Sequence, residues 1–178
     1  MANVRLLSTP ELSELDRAAL RRLLDDAFEG DFTDDDWAHA LGGSHALIED
    51  SGAIVAHAAV VERRIQIGSR VFRAGFVEAV AAAPDRQRRG LGTAVLAAAT
   101  ELILDRFELG ALSSGEWGFY ERLGWERWRG PSHVRSADGT IARSPDDDDG
   151  VMVLRCPASR DIHPGDPITC DQREGDSW

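Results

Sequence analysis

A chain of 178 residues that is 43% hydrophobic has room for one ordinary core, and its formal charge of −11 denies it the net basic face that nucleic acid needs. No apolar run nears the roughly 18 residues of a membrane span. The N-terminal "MANVRLLSTPELSELDRAALRR" lacks the basic-then-apolar order of a secretory signal, so a cytoplasmic location is expected.

The first predicted element is a helix over "STPELSELDRAALRRLLDDAF", capped by Ser8 or Thr9 with Pro10 in its first turn. Leu12, Leu15, Ala19, Leu23 and Ala27 share one face, widened by Leu20 and Leu24. Thr33, with Asp36 three residues on, predicts a capping box and a short second helix that ends at Gly42-Gly43. "HALIED" and "AIVAHAAVVERR" read as strands joined by a tight turn at Ser51-Gly52, and a second hairpin turns at Gly68-Ser69. The strand from Arg73 to Ala83 is nearly all apolar and stops at Pro84, the pattern of a central strand buried on both faces. Then come a helix over Gly90–Arg106, a short strand in "LGALSS", a short helix in "EWGFYERLGW" closed by Gly124, a strand from Trp125, and a late strand in "VMVLRC". "HPGDPITCDQREGDSW" predicts a tail made mostly of turns. The order describes a single α/β domain over residues 1–178 with a mixed sheet.

"PDRQRRGLGTAVLAAA" gathers Arg86, Arg88 and Arg89 in an otherwise acidic chain, then two glycines, then a helix. Helix N-termini leave N–H groups without intrahelical acceptors, glycines let a ligand approach the backbone, and guanidinium forks match phosphate oxygens. The stretch therefore predicts an anion site. It is not a P-loop, because the chain has no lysine, and it is not the dinucleotide fingerprint, because "GLGTAV" has valine where the third glycine belongs.

"QRRGLG", with a long apolar strand before it and "FYERLGW" further on, resembles the Gln/Arg-x-x-Gly-x-Gly/Ala loop of the GNAT family of acyl-CoA N-acyltransferases. The resemblance implies the GNAT fold: a mixed, mostly antiparallel sheet with a central parallel strand pair, flanked by helices. It implies acetyl-CoA as co-substrate, with Gln87, Arg88, Arg89, Gly90, Leu91, Gly92 and Thr93 around the pyrophosphate. The edge Val80, Ala81 and Ala82 would pair with the pantetheine amides like an added strand. "FEGDFTDDDWAHALGGSHALI", "FVEAVAAAP", "LGALSS", "RSPDDDDG" and "CDQREGDSW" further resemble the aminoglycoside 2′-N-acetyltransferases. That resemblance implies acetyl transfer to the 2′-amine of a polycationic antibiotic. Its acceptor contacts would be Asp31, Asp36, Glu78, Ser113, Asp176, Trp178 and one of Asp147 and Asp148. It also implies a homodimer.

The residues agree with this chemistry. A polycation wants carboxylates, and the acids cluster at Asp31, Asp34–Asp36, Asp146–Asp149 and Asp171–Asp176. Glu78 is a lone carboxylate in an apolar strand, where burial without a partner is costly, and it is the candidate general base that takes the amine's proton through water. The GNAT resemblance implies the Val80 N–H as the oxyanion donor, and Tyr120, the only tyrosine, is the candidate acid for the departing thiolate. No metal is implied: His39, His45, His57, His133 and His163 are scattered, and each is expected to be structural. Cys156 and Cys170 fit no zinc spacing and are expected as reduced thiols. A GNAT enzyme for another amine or amino sugar is the alternative. A non-catalytic acyl-CoA-binding module is argued against by the presence of both Glu78 and Tyr120.

Overall fold

The computed structural model describes residues 3–178, which form two compact units: residues 3–61 with Val77–Glu101, and Glu62–Phe76 with Leu102–Trp178. Two long strands, β3 (Ala53–Ile67) and β4 (Arg70–Ala82), contribute to both.

The first unit opens with a strand that was not expected, β1 (Val4–Ser8), paired antiparallel with β2 (Ser44–Asp50). The predicted first helix is broken in two. Thr9–Glu11 makes one 3₁₀ turn, closed by Ser8 and Glu11, and α1 (Glu14–Ala27) starts afresh on a second capping box between Ser13 and Asp16. The restart changes the helical phase. Leu20, Leu23 and Leu24 are buried as expected, but Leu15 is turned to solvent at 82% exposure. Helix α2 (Asp34–Ala40) begins at the predicted Thr33 cap, and Gly42 beyond it takes φ +93°. The turn at Ser51 (φ +54°) and Gly52 (φ +82°) joins β2 to β3 with the backbone signs of a type I′ hairpin.

Gly43 lies where β2 meets β3: a Cβ there would stand 2.0 Å from the Val60 carbonyl oxygen. Backbone, not a movable side chain, blocks it. Gly43→Ala should destabilise the protein by about 2 kcal/mol, within the usual cost of overpacking, and a urea unfolding midpoint unchanged from the parent would refute this.

In the second unit β5 (Leu109–Ser113) runs parallel to β4 through Ala74↔Leu109 to Phe76↔Ala111. Strand β9 (Val151–Arg155) pairs antiparallel with β5 and with β6 (Glu126–Arg127). Gly75 and Gly110 allow close packing between these strands and their neighbours: a Cβ on Gly75 would meet Ile103 Cγ1 at 2.7 Å, and one on Gly110 would meet Leu154 Cβ at 2.8 Å. The C-terminal tail is not mostly turn. Ile168–Asp171 forms β10, antiparallel to β3 at Ile168↔Ile67 and parallel to β7 (Ser132–Arg135), which also carries β8 (Ile141–Arg143). The sheet is thus mixed, and it holds a second parallel pair that was not foreseen. Helices α3 (Leu91–Arg106) and α4 (Trp117–Glu121) complete the set. Both cysteines are buried free thiols, and burial pushes Cys170 up to about 11.

Candidate active site

In the first unit, β4 ends in the predicted loop. Ala83 leads into a single turn over Pro84–Arg86, Arg88 takes φ +60° and Gly90 φ +78°, and α3 follows at once. Gly90 O accepts from the Ala94 N–H at 3.0 Å, the first bond of the helix, so the N–H groups of Leu91, Gly92 and Thr93 have no intrahelical acceptor. Left-handed residues beside a helix start form the concave row of N–H groups that binds anions. Nothing lies within 4 Å of a Cβ built on Gly90, so the loop's outer side is open to a ligand. These features fit a pyrophosphate. Of the three arginines, Arg88 and Arg89 are exposed, whereas Arg86 is paired with Asp50 of β2 and Asp85 and serves to tie the loop down. A pocket of about 290 Å³ beside the loop is lined by Ile48, Asp50, Val55, Arg86, Arg89 and Leu91.

Strand β4 was expected to be buried on both faces along its length. Arg73 is exposed, Ala74 through Val77 are buried, and Glu78, Ala79, Val80 and Ala82 are half-buried with only Ala81 inside. The reason is local: Ala79 takes φ +50° within the strand. A left-handed residue interrupts the alternation of faces. For alanine it also costs about 1–2 kcal/mol.

The acidic segment before α2 is seated on this part of β4. Phe32 packs with Leu24 and Ala81, and Trp37 and Ala79 pack against the same cluster. Burying Phe32 contributes roughly 1.5–3 kcal/mol, and Arg21 secures the segment further: it lies 5.7 Å from the Phe32 ring and pairs with Asp25 and Asp34. Asp31 and Asp36 therefore flank two residues anchored on the strand of Glu78. Asp31 is exposed, and Asp36 Oδ2 accepts from the Thr33 N–H at 2.9 Å and hydroxyl at 2.8 Å.

The second unit carries the remaining candidates. Tyr120, on α4, is buried with its ring edge-on to Phe119 and Trp125. Burial raises its pKa, opposed by a hydrogen bond with Ser114, so the hydroxyl keeps its proton at neutral pH. Ser113 sits at the exposed end of β5 beside Gly150, where a Cβ would meet its Oγ at 2.7 Å. The aspartate tract divides by partner. Asp148 accepts from the Ser132 N–H (2.8 Å) and hydroxyl (2.5 Å) and pairs with Arg143 through both oxygens. Arg143 holds its carboxyl well below the usual carboxylate range, with help from Ser132. Asp147 accepts from the Ser144 hydroxyl, and Asp149 stands 3.7 Å from Arg127. The tail is held by Arg63, which donates to the carbonyls of Asp171 and Ser177 at 2.7 Å each and lies 4.7 Å from the Phe76 ring, as the tail's own Arg173 does at 5.5 Å. Trp178 is buried, its N–H donates to Asp176 Oδ1 at 3.2 Å, and its indole Nε1 has no partner among the described residues.

Sequence reasoning missed Arg63, whose partners lie more than a hundred residues along the chain, and Arg143 and Ser132, which meet at Asp148 across a turn that spacing alone does not reveal. It also took the histidines singly, whereas His45 and His57 are buried and bonded to each other at 3.0 Å. Among the described residues no group of His, Cys, Asp and Glu could hold a metal ion, and no helix is long and apolar enough to cross a membrane.

A left-handed loop opening onto a helix N-terminus, at the end of a strand in a mixed sheet, is the arrangement expected of the GNAT class of acetyltransferases, and residues 9–128 match the acetyltransferase (GNAT) domain model. The chain belongs to that family. It is 44% identical over 98% of its length to the aminoglycoside 2′-N-acetyltransferase of Mycolicibacterium fortuitum, covering 91% of that protein. The fold is shared with a GNAT family N-acetyltransferase of Escherichia coli (YhbS) solved in complex with CoA, at TM-score 0.69 and 14% identity over 98% of this chain and 93% of that one. A GCN5-related N-acetyltransferase of Kribbella flavida matches at TM-score 0.59 and 21% identity over 73% of this chain. The present chain spans about a third (34%) of that larger protein.

Proposed function

We propose that the protein transfers the acetyl group of acetyl-CoA to the 2′-amine of aminoglycosides, by direct attack with both substrates bound. The observation that carries this reading is the 44% identity, over nearly the whole of both chains, to a protein named for that activity. Bound acetyl-CoA supplies an activated acyl group on a thiol leaving group. The N–H groups at the start of α3 and the side chains of Gln87, Arg88 and Arg89 hold the pyrophosphate, and Val80–Ala82 offers its strand edge to the pantetheine arm. Asp31, Asp36, Ser113, Asp147, Asp176 and Trp178 take the cationic, hydroxyl-rich acceptor. Asp148, committed to Arg143 and Ser132, shapes the tract from beneath and leaves Asp147 as the contact.

An ammonium has no lone pair, so a proton must leave before attack. Glu78 accepts it through water, the Val80 N–H faces the developing oxyanion, and Tyr120 returns a proton to the thiolate. Tyr120→Phe should lower kcat by roughly 100-fold with KM for acetyl-CoA changed less than kcat. Release of free thiol measures both, and an unchanged kcat would remove Tyr120 from the mechanism. The reaction class is tested by mass spectrometry of a kanamycin reaction, with the acetylated amine located by fragmentation. Acetylation at the 2′-amine is expected where the antibiotic has a free one. No acetyl-CoA-dependent product from any such aminoglycoside would overturn the reading. The same reading makes the protein a cytoplasmic homodimer, and sedimentation equilibrium at micromolar concentration tests the assembly.

A further inference from the structure

The strained residue in β4 has a support that the acetyl-transfer chemistry does not use. Ala79 O is met at 2.8 Å by His57 Nδ1, from the neighbouring strand β3. His57 Nε2 is 3.0 Å from His45 Nδ1 on β2, and His45 Nε2 is 2.8 Å from Thr9 Oγ1 beyond β1. Thr9 Oγ1 in turn accepts from the Gly42 N–H at 2.9 Å. The two imidazoles stack with centroids 5.3 Å apart and are wholly buried, and Thr9 is buried with them.

The chemistry of the last atom sets the direction of the whole chain. A carbonyl oxygen only accepts, so His57 Nδ1 carries the proton and His57 Nε2 is the acceptor. His45 Nδ1 must then donate, His45 Nε2 must accept, and the Thr9 hydroxyl must donate to it. Both rings are neutral and both are protonated on Nδ1. The reverse polarity would set a bare His57 Nδ1 against the Ala79 oxygen. Desolvation depresses the basicity of both rings, in keeping with this neutral arrangement.

We infer that His57 is a positioning residue for acetyl transfer: its Nδ1–H holds the Ala79 carbonyl in the left-handed conformation that aims Glu78 and the Val80 N–H, with His45 and Thr9 completing the buried hydrogen-bond chain behind it. An alanine at φ +50° does not hold itself there. Its two neighbours are the residues assigned the base and the oxyanion donor, so a relaxed Ala79 would turn both away. The inference rests on those assignments and hence on the acetyl-transfer reading.

Two measurements on the full chain test it. Two-bond ¹H–¹⁵N NMR of the imidazole rings should show His57 as the Nδ1–H tautomer, its signals identified by their loss in His57→Asn. In steady-state assays His57→Leu should lower kcat at least about tenfold while KM for the acceptor moves less than threefold. His57→Asn places an amide N–H where Nδ1 stood and should recover kcat to within about threefold of the parent. An Nε2–H tautomer at His57, an unimpaired His57→Leu, or an Asn variant as slow as the Leu variant would each overturn the assignment. If His57→Leu does not fold, the parent tautomer and the Asn variant decide by the same criteria. A parent protein that acetylates no amine overturns the acetyl-transfer reading and this role with it, whereas an Nε2–H tautomer in an active enzyme overturns this role alone.

Discussion

Glu78→Gln is expected to lower kcat by about 100-fold or more, the usual worth of a positioned general base, while KM for the aminoglycoside changes by far less. Glutamine keeps the length and planarity of the side chain and can hydrogen-bond an amine or a bridging water, but it does not take a proton at neutral pH. The loss should therefore shrink as pH rises, because solvent then deprotonates the amine in place of the carboxylate. The measurement is kcat against pH for parent and variant. A variant within threefold of the parent at pH 7 would take Glu78 out of proton transfer. Equal loss in kcat/KM and kcat would point to an interaction made only in the transition state, and a loss confined to KM would make Glu78 a binding group alone.

Folding stability is expected to fall as the solution is acidified below about pH 6.5, the ordinary value for histidine, with a steepest slope of about 2.7 kcal/mol per pH unit from two histidines at 1.36 kcal/mol each. In the folded protein burial holds both His45 and His57 well below that value. Below pH 6.5 the unfolded chain therefore binds protons that the native state refuses, and stability rises with pH across this window. Above it both states are neutral at these rings and the contribution is flat. Geometry gives the same sign at His57: a proton on its Nε2 would set that N–H against the His45 Nδ1–H. Asp148, whose carboxyl is depressed, has the other window. Its pairing with Arg143 and Ser132 stabilises the fold above about pH 4 and is lost only below it. Urea midpoints at pH 7, 6 and 5 thus isolate the histidines, and a midpoint that does not move over this range would show that the pair is not buried neutral.

Local devices were legible in the chain. The Thr33–Asp36 capping box, the Ser51-Gly52 turn and the stop of β4 at Pro84 each depend on two to four adjacent residues, and each is where the residues predict it. The turn into α3 was legible for the same reason, since its glycine and its helix start are contiguous. Leu15 was misread because a second cap at Ser13 resets the helix, and nothing in the apolar spacing reveals which of two plausible caps nucleates it. Strands β1, β7, β8 and β10 are short, and short strands are defined by their partners: Ile168 is extended because Ile67 lies beside it.

The candidate site divides along the same line. Residue types alone determined which groups are on offer: a glycine- and arginine-rich loop before a helix, several carboxylate clusters, one glutamate in an apolar strand and one tyrosine. Which of those groups are already committed was decided only by the tertiary structure. Arg86 belongs to Asp50 rather than to a phosphate, and Asp148 belongs to Arg143 and Ser132. The left-handed turn at Ala79 has no code of its own, because alanine avoids it. It is imposed from across the sheet by His57, and a hydrogen bond between strands depends on register and burial, which no local run of residues specifies.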